Sequence, residues 1–126
     1  MPTRLFDQTI GFLQRSLDIR TFRHKVLSDN IANADTPLHR PKDIPFQRIL
    51  ERSFIQPSKL YPQKTNTNHL SGEVGTPFEV EISGEEVSVD REMARLAENN
   101  LMYDAGVQAL IKKLEAIRIT LVEGGR

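Results

Sequence analysis

The sequence predicts a mainly α-helical chain in which two long terminal helices pack as an antiparallel coiled-coil-like pair. A proline-rich extended segment joins them and carries a small β-hairpin. Three observations lead there. Six of the seven prolines fall between Pro37 and Pro77, so the middle reads as turns and extended chain, whereas both ends are free of internal proline. Apolar residues recur at helical spacing through both ends. Phe78-Glu79-Val80-Glu81-Ile82 alternates apolar and charged residues, as a half-buried strand does.

These boundaries divide the chain into an N-terminal assembly helix over 1–34, an extended segment over 35–88 with the hairpin near 77–89, and a C-terminal assembly helix over 89–126. In the first helix Phe6, Ile10, Leu13, Leu17, Leu27, Ile31 and Ala34 form one stripe. Phe12, Ile19, Phe22 and Val26 form a second beside it, and Asp7, Gly11, Gln14, Asp18, Lys25 and Asp29 mark the opposite pole. At ~100° per residue the apolar arc spans roughly 240°, whereas a helix resting on a single core needs about 100°. This helix is therefore built for neighbours on more than one side. Arg20 and His24 interrupt the first stripe.

The C-terminal helix is more regular. Val89, Met93, Leu96, Asn100, Tyr103, Val107, Leu110, Leu114, Ile117 and Leu121 alternate by four and three, a coiled-coil seam. Asp90 favours the first turn, and Gly124-Gly125 ends the helix. Asn100 is the lone polar residue of the seam, either a register-setting buried amide or a group at a solvated edge. In the middle, Val87 and Val89 can return across Ser83-Gly84-Glu85-Glu86 to pair with the Phe78–Ile82 strand. Residues 57–76 are polar and are expected to form a flexible loop or a patch ordered by partners. A helical hairpin with so long a connection has little core to offset the ordering of its chain. The terminal helices are accordingly expected to be partly ordered in the free subunit and to fold fully on assembly.

Several function classes find no support. The charge is balanced, 17 basic against 17 acidic residues, where a nucleic-acid or membrane-surface binder carries a basic excess. The chain has no cysteine, which removes disulfides, thiolate metal sites and cysteine nucleophiles. No apolar run approaches the ~20 residues of a membrane span, and the N-terminus lacks the apolar block of a cleaved signal peptide. His24, His39 and His69 sit in three separate segments, none at metal-ligand spacing. Glu85-Glu86 and Asp90 to Glu92 read as a turn and a helix start, where acids are favourable electrostatically. Lys112-Lys113 reads as a solvated helix face, and no Gly-rich phosphate loop or nucleophile elbow occurs.

The end of the first helix carries the most information. Leu27 and Ile31 face a partner, Ala32 and Ala34 permit close approach, and Asn30 and Asn33 can bond backbone or partner groups near the helix end. Pro37 prevents continuation. The string Asn30-Ile31-Ala32-Asn33-Ala34-Asp35-Thr36-Pro37 resembles the N-terminal signature of the flagellar rod, hook and hook-associated proteins. Its continuation Arg40-Pro41-Lys42-Asp43-Ile44-Pro45-Phe46 is similar to that of the proximal basal body rod members, as are Leu17-Asp18-Ile19-Arg20 and Arg23-His24-Lys25-Val26-Leu27. In the second helix Asp90, Glu92-Met93, Leu96-Ala97, Asn99-Asn100, Tyr103 and the stretch from Leu110 to Ile119 fit the same group. There is one departure: Leu38-His39 stands where the family usually has Gly-Tyr, and Leu38 predicts a different local turn.

The resemblance implies a structural subunit of the flagellar basal body whose terminal helices polymerise into a torque-transmitting shaft, with no catalysis and no cofactor. It further implies unfolded export by the flagellar type III apparatus without a cleaved signal, and a periplasmic position above the MS ring. The implied partners are other copies of the chain, other rod subunits, the rod–MS ring adaptor, the MS ring and the export apparatus, without nucleic acid or membrane insertion. The expected assembly seam comprises Ile10, Leu13, Leu17, Leu27 and Ile31 of the first helix. In the second it comprises Leu96, Asn100, Tyr103, Val107, Leu110, Leu114, Ile117 and Leu121. A cytoplasmic helical adaptor or chaperone using the same seams is the alternative.

Overall fold

A computed structural model describes residues 2–55 and 78–125, with side chains from Asp7 onward. The polar stretch 57–76 lies outside the described residues. In chain order the elements are α1 (Pro2–Ala32), β1 (Lys42–Asp43), α2 (Phe46–Ile55), β2 (Glu81–Ile82) and α3 (Val89–Glu123). Both long helices occupy the spans that their periodicity predicts, α1 stopping slightly earlier than expected. At the end of α3 the Gly124 N–H still bonds the Thr120 carbonyl at 2.9 Å, with Gly124 in a right-handed conformation.

The two long helices run antiparallel and pack along much of their length. Their partners step in opposite directions: Leu17 lies against Gly106, the Arg20 carbonyl accepts from Asn99, His24 bonds Asn100, and Asn30 bonds Glu92. Gly106 matters for this approach, because a Cβ there would stand 3.0 Å from Leu17 Cδ2. Leu27, with no exposed surface, lies between the His24 and Asn30 contacts.

The second apolar stripe of α1 meets the chain's own middle segment. Ile19 and Val26 form a buried cluster with Ile44 and Ile49, and Phe22, Phe46, Leu50, Phe78 and Val80 pack around it. Phe12 stacks on Phe54 with ring centroids 5.2 Å apart, and Phe22 meets Phe78 edge-on at 5.3 Å. Helix α1 is thus the middle layer, with α3 on one side and α2 on the other. Among the described residues α2 and α3 do not pack on each other.

Helix α2 corrects the expectation of extended chain between 35 and 88. Its prolines bracket a helix instead of forbidding one. Pro45 precedes the first turn and supplies the carbonyl for the Ile49 N–H at 3.0 Å, while needing no N–H of its own. Phe46, Ile49, Leu50 and Phe54 then fall at helical spacing. Arg48 pairs with Glu79 and Glu81, and Arg52 with Glu79, fastening α2 to the start of β2 and the residues before it.

The small antiparallel sheet forms, with a different partner strand from the one expected. Glu81–Ile82 pairs with Lys42–Asp43 in the register Lys42↔Ile82 and Asp43↔Glu81, and Val87 and Val89 take no part. Val89 instead opens α3. Phe78 and Val80 point inward as their alternation predicts, but Ile82 is exposed. Behind the sheet, Arg23 makes a two-pronged bond to Asp43, 2.8 Å at each oxygen. That bond raises the Arg23 guanidinium above its ordinary pKa, whereas burial lowers that of Arg20, which lies over the Phe46 ring at 4.1 Å.

The turn at Leu38 also departs from expectation. Leu38 takes φ 66°, the left-handed conformation that a glycine would adopt without strain. The local turn therefore keeps the geometry a glycine there would permit, and leucine bears its cost. Since Leu38 is 97% exposed, its side chain contributes no packing to offset that cost. Leu38→Gly is expected to stabilise the chain by about 0.5–1 kcal/mol, the left-handed penalty less the extra freedom of glycine when unfolded. Urea denaturation of the two chains side by side measures it.

Candidate assembly surface

The signature string folds into a reversal anchored by one buried amide. Asn30 is 1% exposed. Its Nδ2 donates to the Lys42 carbonyl at 2.6 Å and to Glu92 Oε2 at 2.7 Å, and its Oδ1 accepts the Lys42 N–H at 2.9 Å. Both amide hydrogens and the oxygen are thereby used. Glu92, also 1% exposed, receives a second charge-assisted bond from Arg95 Nη1 at 3.0 Å. One side chain thus ties the end of α1, strand β1 and the start of α3 together. A buried carboxylate with these donors is tolerable; without them it is strongly unfavourable.

The rest of the string shapes the reversal. Asn33 Nδ2 closes the helix end onto the Asp29 carbonyl at 2.8 Å. Successive turn bonds then run from Ala34 to Ile31, Thr36 to Asn33 and His39 to Thr36. Ile31 and Ala34 are half-buried, while Ala32, Asp35, Thr36 and Pro37 are on the surface.

The residues of the expected seam divide into two groups. Leu27 is buried, and Ile10, Leu13, Leu17, Ile31, Leu96, Val107, Leu110 and Ile117 are half-buried. Asn100, Tyr103, Leu114 and Leu121 are exposed. Two of the three polar interruptions noted in the stripes meet each other: His24 Nδ1 donates to Asn100 Oδ1 at 3.0 Å on the exposed edge of the helix pair. The buried amide of α3 is the neighbouring Asn99, 1% exposed, which donates to the Arg20 carbonyl at 2.9 Å. Glu92, Asn99 and Gly106 recur at heptad spacing and flank the line of Leu96, Tyr103 and Leu110. They form the side of α3 that fits against α1. Periodicity of apolar residues could not reveal that line, since its members are polar or lack a side chain.

Helix α3 also keeps apolar side chains uncovered. Met93, Ile111, Leu114, Ile119 and Leu121 are each more than two-fifths exposed. Among the described residues no group of three His, Asp or Glu side chains is disposed to hold a metal, and no helix is long and apolar enough to cross a membrane.

No family model matches the chain. Curated proteins do. The chain is 31% identical over 131 positions to the flagellar basal body rod protein FlgB of Bacillus subtilis strain 168, covering 97% of this chain and 98% of that one. It is 30% identical to FlgB of Escherichia coli K12, over 94% and 96% of the two chains. With FlgB of Borreliella burgdorferi the identity is 30% over 92% and 97%. The match in each case covers more than nine-tenths of both chains.

Proposed function

For a chain that belongs to the FlgB family of flagellar basal body rod proteins, and is therefore a structural rod subunit, we propose that α3 is the element through which neighbouring subunits pack into the shaft. The observation that carries this reading is that seam residues of α3 stay exposed in the single chain, Leu114 at 50% and Leu121 at 73%, whereas Leu96, Val107, Leu110 and Ile117 of the same seam are half-buried. The exposed seam members Leu114 and Leu121 then interdigitate with helices of adjacent subunits, and torque is borne by many packed contacts at once. Leu27, Ile31, Leu96 and Leu110 hold the α1–α3 pair in the form in which it packs.

The role is mechanical and needs no catalytic group or cofactor. The proximal position, in the periplasm beside the MS ring and its adaptor, and export by the type III apparatus without a cleaved signal complete the proposal. Association with other rod components follows from the family itself. Fractionation tests the proposal: the tagged full-length chain is expected to co-purify with detergent-extracted basal bodies and to be protected from protease in intact cells. Recovery in the soluble cytoplasmic fraction alone would favour a helical adaptor instead.

A further inference from the structure

Helix α3 carries two parallel lines of residues with opposite properties. Leu96, Tyr103, Leu110 and Ile117 repeat at heptad spacing and are alike, all aliphatic or aromatic. Beside them Glu92, Asn99, Gly106 and Lys113 repeat at the same spacing and are all different. A shift of α3 along α1 by one heptad, roughly 10 Å, lays the first line back on itself. That line cannot tell one register from the next. The second line can. In the observed register Asn30 Nδ2 donates to Glu92 Oε2 at 2.7 Å, and Asn99 donates to the Arg20 carbonyl at 2.9 Å. Gly106 admits Leu17, whose Cδ2 lies 3.0 Å from where a Cβ would stand. Shifted one heptad in one direction, Lys113 faces Leu17, and Asn30 meets Asn99 in place of a carboxylate. Shifted in the other, Asn99 faces Leu17, and Glu92 lies at the Arg20 carbonyl, away from the Asn30 amide. Either slip leaves buried polar groups unmatched, which is strongly unfavourable.

For stability alone these groups are poor choices. Asn99 is 1% exposed, yet its Oδ1 is buried without a partner among the described residues. Glu92, also 1% exposed, holds a charge away from water. Well-packed apolar side chains at such positions are as stabilising or more so. We propose that Asn30, Glu92 and Asn99 select the one register in which α1 accepts α3, and that they do so at the expense of stability. The wide apolar arc of α1 receives an amphipathic helix in several positions; the polar line admits one of them. The register in turn sets where the exposed side chains of α3 stand relative to α2 and the sheet, since a slipped helix carries all of them with it.

The absence of cysteine lets cross-links read the register directly. His24 and Asn100 meet on the exposed edge of the pair, so a full-length His24→Cys/Asn100→Cys chain reports the observed register when oxidised with copper phenanthroline. His24→Cys/Met93→Cys and His24→Cys/Val107→Cys chains report the two slips. In otherwise native chains the first is expected to cross-link within the chain, and the other two to give at most about a tenth of its yield. Adding Asn30→Leu, Glu92→Leu and Asn99→Leu together should raise the slipped yields on the order of tenfold. Asn99→Leu alone strands no buried group, because the Arg20 carbonyl keeps its bond within α1, so the melting temperature should hold or rise. A lower melting temperature would show that the amide serves stability and would overturn the proposal. So would slipped cross-links as abundant as the native one before the leucines are added. A triply substituted chain that still forms only the native cross-link, or that loses its helical circular dichroism, would overturn it equally.

Discussion

Asn30→Ala is expected to cost about 3–5 kcal/mol of stability, a large part of what a domain of this size possesses. The substitution removes little apolar surface. Its cost lies in what it abandons: the Lys42 N–H and carbonyl lose their partners, and the Glu92 carboxylate, 1% exposed, keeps only Arg95. Unsatisfied buried groups cost ~1–3 kcal/mol each, and charged ones more. Urea denaturation followed by helical circular dichroism measures the loss. Asn33→Ala is the control. Asn33 gives one exposed bond to the Asp29 carbonyl, so its removal should cost no more than about 1 kcal/mol. A similar small loss for both chains would mean that the junction of α1, β1 and α3 does not depend on the Asn30 amide.

The second large effect separates folding from assembly. Leu110→Asp and Leu114→Asp are both expected to abolish motility and rod formation, for different reasons. Leu110 is half-buried in the face of α3 turned to α1, where a carboxylate costs several kcal/mol and weakens the subunit itself. Leu114 is 50% exposed, so aspartate there should change the stability of the single chain by no more than about 0.5 kcal/mol. Its consequence appears only when neighbouring helices close over it. Swimming in soft agar, basal-body yield and thermal denaturation of the purified chains together check the pair. A motile Leu114→Asp strain with normal basal bodies would contradict the seam.

How far the sequence could be read depends on which physical signal each feature leaves. The spans of α1 and α3 were legible because a long apolar period survives without tertiary knowledge. Asn30 was legible as a residue that bonds near a helix end, and the string around it pointed to the family. The partner of the second α1 stripe was not: a stripe records that something covers it, and here α2 and the segment around Ile44 and Phe78 do so. Helix α2 itself was obscured by counting prolines without regard to position, since Pro45 initiates it. The strand pairing of β1 with β2 spans the undescribed middle segment, a distance over which local turn signals carry no information. Glu92 was read as an acid favouring a helix start; its burial depends on Asn30, a residue distant in sequence.

The three-layer arrangement has a consequence for divergence. Helix α1 touches both α3 and α2, while these two do not pack on each other among the described residues. A substitution in α1 must therefore satisfy two environments simultaneously: Leu17 answers to Gly106 on one side, and Ile19 to the Ile44–Ile49 cluster on the other. Changes in α2 must suit α1 and the stretches around Ile44 and Phe78 to Glu81, but not α3. The outer helices are thereby free to drift independently, each tracking α1 without reference to the other. The connection between them is held to α1 and α2 at Phe78 to Ile82, so its freedom to vary ends where that stretch begins.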